Sequence, residues 1–381
     1  MLSVKIRKRF GNASKIESSA TEAGAASRAD FLLDVEFDAP PGVTILFGAS
    51  GSGKSLTLKS IAGIIRPDEG RISVGERTLF DSARRINLPI RERKTGYVFQ
   101  NLALFPHLSA LGNVEFALPH LLRRERRERA LDLLEAFGIR HTAERGTRDI
   151  SGGEAQRLAL ARTLAGNPGL LLLDEPLSAL DHATKLGIID DLREINRRLR
   201  LPIIYVTHSR DEAVALGERA IVYEHGRIVA RGEPLDVFAS PVSAGVARLT
   251  GAENIFEARV VGRNEEGGTM TLEVGGASEG GVCRLEAPLG GASQGERVRV
   301  AIRSGDILLA TVEPRSTSAR NILRGQIESI EETGSHVRVR VRSGVRWTAS
   351  VTREATRELK LKPDMEVWLA FKTYSCHLLD S

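Results

Sequence analysis

The sequence predicts an α/β fold, with a mostly parallel sheet covered by helices on both faces. Through the first 240 residues, short apolar strands alternate with helical segments, which is the pattern typical of such a sheet. The strand Val43–Phe47 leads into a helix from about Lys54 to Ile64. Further along, the strands Leu170–Leu173 and Ile203–Thr207 are separated by a helix near Lys185–Leu199.

A smaller β domain is predicted to follow, because the apolar period changes from helical to two. The segments that alternate in this way are Arg297–Ile302, His336–Val341 and Val367–Lys372. A chain of 381 residues also exceeds the roughly 250 to 300 residues that one hydrophobic core holds. We therefore predict an α/β domain over 1–240, a linker and first β region over 241–317, and a final β domain over 318–381.

The start of the chain predicts a β-hairpin. A first strand ending near Phe10 is followed by Gly11–Ser27, which is rich in Ser, Ala and Gly and predicts a long hairpin loop. Phe31–Phe37 then alternates apolar and polar residues, as a half-buried strand does.

Composition excludes several classes of protein. Hydrophobic residues make up 41% and charged residues 27%, so the chain is neither disordered, collagenous nor membrane-embedded. No apolar run reaches the roughly 18 to 20 residues of a membrane span, and no signal peptide follows Met1–Phe10, which predicts a cytoplasmic protein. Cys283 and Cys376 lack metal-ligand spacing, which favours a reducing compartment.

The net charge of +5 suits a phosphate-rich partner, an anionic substrate or a membrane surface, and does not choose among them. Its most concentrated stretch, Arg123–Arg129, contains glutamates and no stacking aromatic residue. A solvated helix face is therefore favoured over a nucleic-acid site, and we expect no nucleic-acid partner.

A phosphate-binding loop of the form G-x-x-x-x-G-K-[ST] lies between a predicted strand and a predicted helix. It consists of Gly48, Ala49, Ser50, Gly51, Ser52, Gly53, Lys54 and Ser55. Its backbone N–H groups and the helix N-terminus would bind phosphate oxygens. Lys54 would neutralise the β- and γ-phosphates of ATP, and the Ser55 hydroxyl would bind Mg²⁺.

Two carboxylates follow the apolar strand Leu170–Leu173. Asp174 can hold the metal through a water molecule, and Glu175 can act as the general base that activates the attacking water. The alternative is that the pair only caps the next helix, and it is less favoured because the same sequence contains the phosphate loop.

Four further motifs, in order along the chain, resemble those of the ATP-binding cassette (ABC) family of transport ATPases. They are Gln100 of the Q-loop, the signature Ser151, Gly152, Gly153 and Glu154, Asp181 of the D-loop, and the switch histidine His208. The resemblance implies a P-loop NTPase cassette with a RecA-like core and a helical subdomain. It also implies a head-to-tail homodimer in which the signature loop of each subunit binds the ATP of its partner.

The resemblance assigns roles to these residues. His208 would contact the γ-phosphate, Gln100 would sense Mg²⁺ and nucleotide, and Asp181 would act across the dimer. Glu154 departs from the Gln of many family members and brings a carboxylate near the phosphate cradle. For the adenine-stacking aromatic residue we predict Phe10, with Phe31 in the core.

The C-terminal third resembles the molybdate-binding Mop domain, also called TOBE, an OB-like β-barrel. Thr317–Gly325 resembles its opening and Ala370–Ser375 its closing strand. A site with hydrogen-bond donors and positive charge, and with no carboxylate, suits a tetrahedral oxyanion. The candidate residues for such a site are Ser318, Arg320, Asn321 and Lys372. The alternative is that Arg320 and Lys372 are solvated charges and that Ser318 and Asn321 are turn residues.

The resemblance therefore implies the ATPase of a molybdate importer on the cytoplasmic face of the cell membrane. Its partners would be separate permease subunits, which meet the segment Leu104–Leu108, and indirectly an external oxyanion-binding protein. An importer of tungstate, sulfate or ferric ion is the nearest alternative. A soluble ABC ATPase of DNA repair or translation, or a storage or sensing module, is more distant.

Overall fold

The computed structural model describes residues 1–10, 31–239, 244–249, 251–276, 281–333 and 336–379. The chain forms two compact units, Met1–Val237 and Phe238–Ser381. The predicted loop Gly11–Ser27 lies outside the described residues, and the boundary between residues 317 and 318 stays a prediction.

The first unit contains eleven of the described strands and the helices that pack on them. The strands are β1 (Leu2–Phe10), β2 (Phe31–Ala39), β3 (Gly42–Gly48), β4 (Glu69–Val74), β5 (Arg77–Asp81), β6 (Ile86–Asn87), β7 (Thr95–Val98), β8 (Leu170–Asp174), β9 (Pro202–Thr207), β10 (Arg219–Glu224) and β11 (Arg227–Gly232). The helices are α1 (Lys54–Ala62), α2 (Ala110–Phe116), α3 (Arg123–Ala136), α4 (Gly152–Ala165), α5 (His182–Leu199) and α6 (Arg210–Leu216), and α7 (Pro234–Ala239) spans the boundary of the units.

Two sheets build this unit. The central sheet has the order β11-β10-β3-β9-β8-β7, in which every pairing is parallel except that of the edge strand β11. The second sheet, β2-β1-β4-β5-β6, is antiparallel. All residues of β8 are buried, because a parallel strand inside such a fold has both faces covered. The predicted α/β architecture is confirmed.

The helix after the phosphate loop ends two residues before the predicted Ile64. Gly63 adopts a left-handed conformation with φ of 85°, and its backbone N–H closes the last turn of α1 on Lys59 and Ser60. A left-handed glycine is a common helix terminator, so the predicted end was too late.

The second unit contains two of the described helices and ten of the described strands. The helices are α8 (Ala244–Leu249) and α9 (Arg353–Glu358). The strands are β12 (Asn254–Asn264), β13 (Thr269–Gly276), β14 (Gly281–Pro288), β15 (Arg297–Ile302), β16 (Leu308–Ala310), β17 (Asn321–Thr333), β18 (His336–Ser343), β19 (Val345–Val351), β20 (Glu366–Phe371) and β21 (His377–Leu379).

These ten strands form two similar five-stranded halves. The sheets have the orders β14-β13-β12-β15-β21 and β19-β18-β17-β20-β16, so each half gives its last short strand to the sheet of the other. One turn of 3-10 helix precedes each exchanged strand, at Ser304–Asp306 and Thr373–Ser375. The predicted closing strand therefore stops at Phe371, and the residues after it turn towards the other sheet.

Two buried asparagines hold the halves together in the same manner. Asn321, at the start of β17, accepts a hydrogen bond from Glu286 N (2.7 Å) and donates one to Glu286 O (2.9 Å). Asn254, at the start of β12, does the same with Thr348 N and O, at 2.7 and 2.9 Å. Each asparagine side chain thus pairs with the backbone N–H and C=O of one residue in the other sheet, as a neighbouring strand would. Between the sheets lies the fully buried Trp347, in contact with Phe256 and Phe371.

Candidate functional site: the phosphate loop and its carboxylates

The phosphate loop curls around the Lys54 ammonium. Lys54 is 4% exposed, and its Nζ donates to Gly48 O at 2.9 Å, Ala49 O at 2.7 Å and Ser52 Oγ at 3.4 Å. Burial lowers the pKa of Lys54, while the carboxylates of Glu175 and Asp174 act in the opposite direction. The loop therefore holds a cation at the N-terminus of α1, where phosphate oxygens are also attracted to free N–H groups.

Glycine is required at the last turn of this loop. Gly53 has φ of 108°, and a Cβ on it would lie 2.8 Å from Leu33 Cδ1 and 3.4 Å from Phe31 Cζ. The left-handed backbone and the close approach of β2 together exclude a residue with a Cβ at this position.

Asp174, the last residue of β8, is bonded through both carboxylate oxygens. Its Oδ1 accepts from the Ser55 hydroxyl at 2.8 Å, and its Oδ2 accepts from the Tyr97 hydroxyl at 2.9 Å. The structure thus brings together Ser55 and Asp174, two of the three residues predicted to bind magnesium, and the third is Gln100. Tyr97 was not predicted; burial, with the Asp174 charge, raises its pKa far above its ordinary value, so it remains a donor.

Glu175 and His208 form a pair beside Asp174. Glu175 begins the loop after β8 with φ of 47°, a conformation rare outside glycine, and its Oε2 lies 3.3 Å from Nδ1 of His208. His208 follows β9, the strand next to β8, and its side chain is 62% exposed. A largely buried carboxylate, in contact with an exposed imidazole, therefore lies near the buried Lys54 and Asp174.

The signature residues lie at the N-terminus of α4. Ser151 caps this helix by accepting from Glu154 N at 3.3 Å, and Glu154 accepts from Ser151 N at 2.7 Å and contacts His141 Nε2 at 2.7 Å. The hydrogen bonds from Ser151 and His141 lower the pKa of Glu154 to about 2. The departure from Gln thus has a local explanation: Glu154 completes a capping box, a pattern that S-x-x-E encodes.

The D-loop lies beside the signature loop. Asp181 caps α5, accepting from Thr184 N at 3.0 Å and from the Thr184 hydroxyl at 2.6 Å, and these bonds lower the pKa of Asp181. A Cβ on Gly152 would lie 3.2 Å from Leu180 Cδ2, and one on Gly153 2.6 Å from Thr184 Cγ2. Ser151, Gly152 and Asp181 are all exposed, so this surface is open to an incoming group.

Gln100 lies exposed in the turn after β7, and its side chain makes no hydrogen bond to any described residue. The next residues, Leu102 and Ala103, have positive φ, and the guanidinium of Arg162 on α4 donates to both carbonyls, at 2.8 and 2.7 Å. Sequence reasoning missed Arg162, which ties the signature helix to the Q-loop.

The segment Leu104–Leu108 presents an aromatic surface. Phe105 packs on Phe116, whose side chain is 62% exposed, with centroids 4.5 Å apart, and the Arg162 guanidinium lies 5.3 Å from the Phe105 ring. Asn113 is buried and accepts from Phe105 N at 2.9 Å, which fixes the loop.

The predicted adenine-stacking residue, Phe10, ends β1 and is half-buried. Its ring centroid lies 6.2 Å from that of Phe31 and 5.9 Å from Lys8 Nζ. Phe31, expected in the core, is only partly buried: it packs against the core and reaches the phosphate loop at Gly53.

The candidate oxyanion residues fall into two groups. Ser318, Arg320 and Lys372 are exposed, and the two cations flank the paired residues Asn321 and Phe371 on adjacent strands. Asn321 is 2% exposed, begins a strand and uses both amide atoms within the chain. It is therefore neither a turn residue nor a free donor.

Comparisons with known proteins find two matching families and a similar solved structure. Residues 32–178 match the ABC transporter family, and residues 317–378 match the TOBE domain. The dimeric structure of MJ0796, a bacterial ABC transporter cassette, is similar with a TM-score of 0.51 and 28% identity, covering 61% of this chain and 99% of that one. Among the described residues no helix is long and apolar enough to cross a membrane.

Relatives resemble nearly the whole chain. The molybdenum import ATP-binding protein ModC of Paramagnetospirillum magneticum is 38% identical over 351 residues, covering 90% of this chain and 93% of the relative. The molybdate/tungstate import ATP-binding protein WtpC of Pyrococcus abyssi is 37% identical over 346 residues, covering 90% and 94%. The fold and site define an ABC-type ATPase that binds ATP. The chain belongs to the ABC family, in the group that contains the ModC and WtpC import proteins.

Proposed function

We propose that this chain is the ATP-hydrolysing motor subunit of a bacterial molybdate importer. It acts as a homodimer on the cytoplasmic face of the membrane and drives separate permease subunits, which an external oxyanion-binding protein supplies. The observation that carries the proposal is the juxtaposition of the Lys54 loop, the Ser55–Asp174 pair and the Glu175–His208 pair.

The donor set fits Mg²⁺. Ser55 and Asp174 offer hard oxygen ligands 2.8 Å apart, and Mg²⁺ uses few protein ligands beside water and nucleotide phosphates. Ser55 would hold the ion directly, Asp174 through water, with Gln100 joining when its exposed loop approaches. Bound there, Mg²⁺ would neutralise charge on the phosphates.

Glu175 would accept the proton from the attacking water. Its carboxylate contacts His208 Nδ1 at 3.3 Å and makes no hydrogen bond to Ser55, which donates to Asp174. His208 would orient the water and contact the γ-phosphate. Lys54 would bind the β- and γ-phosphates within the loop, and Phe10 would stack on adenine.

Dimerisation would complete each site. The exposed N-terminus of α4 offers the N–H groups of Gly152 and Gly153 and the Ser151 hydroxyl to the γ-phosphate on the partner, and Asp181 lies beside them. The dimeric arrangement of the similar cassette MJ0796 supports this step. Glu154 would act by holding the Ser151 turn in shape.

The E175Q variant tests the proposal. Turnover is expected to fall by about 10² to 10⁴-fold, because the amide cannot accept the proton, while ATP binding is unchanged. Glu218, an exposed glutamate of the same unit, gives the matched control E218Q, which should hydrolyse ATP normally. Undiminished turnover in E175Q would remove Glu175 from the role of base.

Molybdate is favoured as cargo because the similar relatives are named for molybdenum or for molybdate and tungstate. The transporter, reconstituted with its binding protein, should hydrolyse ATP faster with molybdate or tungstate than with sulfate or ferric ion. Equal stimulation by sulfate would contradict the assignment.

A second, regulatory role concerns the exposed cations of the second unit. Arg320 and Lys372 carry no ion pair among the described residues, whereas the corresponding corner of the other half carries Glu253, paired with Arg338 at 2.7 Å. We propose that molybdate binds the cationic corner together with Ser318 and slows turnover. Molybdate titrated into the detergent-purified transporter, without the external binding protein, should slow ATP hydrolysis by the wild type and not by the variant R320A/K372A, and a flat response in both would refute this role.

A further inference from the structure

A buried carboxylate outside the proposed catalytic set connects two of its parts. Glu212, in the first turn of α6, is 5% exposed and accepts three side-chain hydrogen bonds. Tyr205 and Thr207 donate at 3.0 and 2.8 Å, and Lys185 donates at 3.2 Å. A buried carboxylate is strongly unfavourable without such partners, so these contacts hold it firmly.

The two oxygens of Glu212 serve different elements. Oε2 accepts both hydroxyls of β9, and Thr207 is the residue immediately before His208. Oε1 accepts from Lys185, whose backbone N–H donates to Asp181 O in the first turn of α5 at 3.0 Å. One carboxylate therefore joins the strand that ends at His208 to the helix that begins at Asp181.

The end of β9 is fixed by the same network. The Thr207 hydroxyl donates to Glu212 and accepts from Ser209 N at 2.9 Å, so it holds the backbone on both sides of His208. His208 itself is exposed and contacts Glu175. Its position accordingly depends on the backbone that Glu212 anchors.

We infer that Glu212 is a positioning residue that couples Asp181 to His208 within one subunit. When the partner subunit engages Asp181, a displacement of α5 moves Lys185 and, through Glu212, the end of β9. Closure of the dimer thereby sets the switch histidine for hydrolysis. This inference rests on the proposed function, because it takes the roles of Asp181 and His208 from it.

The geometry allows the link to be cut selectively. In E212Q the amide oxygen can occupy the Oε2 position and keep the bonds from Tyr205 and Thr207, while the NH₂ group faces the Lys185 ammonium and cannot accept from it. K185M cuts the same link from the other side. The control is D191N, which removes an ion pair between α4 and the same helix α5, Arg157–Asp191 at 2.8 Å.

The test measures ATP affinity, kcat and KM of the full-length chain. E212Q and K185M should each lower kcat by about threefold to thirtyfold with ATP affinity unchanged, and E212Q/K185M should be no slower than the slower single variant. D191N should keep wild-type kcat. K185R, which can still donate to Glu212, should restore most of the activity.

Two results overturn the inference. One is wild-type kcat in both E212Q and K185M; the other is equal losses of ATP affinity and melting temperature with unchanged kcat, which indicate a merely structural role. The variants D181A and H208A distinguish a failure of the proposed function from a failure of the coupling alone. If they do not lower kcat, the proposed function fails, and if they lower it while E212Q does not, only the coupling fails.

Discussion

The C-terminus of the phosphate-loop helix is capped by a buried arginine, and removing it should destabilise the first unit. Arg93 is 3% exposed and has no acidic partner among its hydrogen bonds. Its guanidinium donates at 2.8 to 2.9 Å to Ser60 O, Ile61 O, Leu88 O and Asn87 Oδ1. The positive charge meets the carbonyl end of α1, where it is favourable.

The magnitude follows from these contacts. A hydrogen bond from a charged donor contributes about 1.5 to 3 kcal/mol. R93M removes four such hydrogen bonds, but it also removes the free-energy cost of burying the guanidinium, which offsets part of the loss. We therefore expect the free energy of unfolding to fall by about 3 to 5 kcal/mol. At about 2 to 4 °C per kcal/mol for a domain of this size, the melting temperature should fall by about 6 to 20 °C.

The assay is thermal unfolding of the full chain followed by circular dichroism, with nucleotide absent. R91M is the matched control, because the Arg91 side chain is 87% exposed two residues earlier, and its melting temperature should stay near that of the wild type. Equal melting temperatures for R93M and R91M would show that the Arg93 hydrogen bonds do not stabilise the first unit.

Three further outcomes are expected. The pKa of Glu154 in the folded chain, about 2, lies below its ordinary value of 4.5, so Glu154 contributes stability that is present above pH 4.5 and is lost as the pH falls through about 2. In urea unfolding, the free energy of unfolding of E154Q should therefore differ from that of the wild type more at pH 6 than at pH 3. Burial raises the pKa of Cys283 to about 11 and that of Cys376 to about 12, so iodoacetamide at pH 8 should label neither thiol until the chain unfolds; rapid labelling of the native chain would contradict this. N254L and N321L should each destabilise the second unit by about 2 kcal/mol in urea unfolding, because each leaves a buried N–H and C=O without a partner; a loss in only one would contradict the equivalence of the two halves.

The sequence predicted the elements around the phosphate loop well, because their signals are local. A strand of apolar residues, a glycine loop and a helix beginning at Lys54 follow one another without interruption, and only the helix end at Gly63 was misplaced. The contact of Glu175 with His208 was not predicted, since it depends on the adjacency of β8 and β9.

What the sequence did not reveal are contacts between distant segments. Tyr97 reaches Asp174 only because β7 pairs in parallel with β8. Arg162 and Arg93 look like surface charges in the sequence, yet each binds carbonyls of another segment. The two halves of the second unit are equivalent in the order of their strands. Strand order depends on pairing between distant segments, so the composition of the sequence did not predict this equivalence.

The central claim is that two copies of this chain enclose ATP between the phosphate loop of one and the signature loop of the other. The direct measurement mixes two variants of the full chain in the E175Q background, S50C and S151C, and treats them with a short bifunctional thiol reagent. Both sites are exposed, while the native Cys283 and Cys376 are buried and give little background. A covalent S50C–S151C dimer is expected with ATP and Mg²⁺, and little of it without them; the absence of that dimer in saturating ATP would contradict the head-to-tail arrangement.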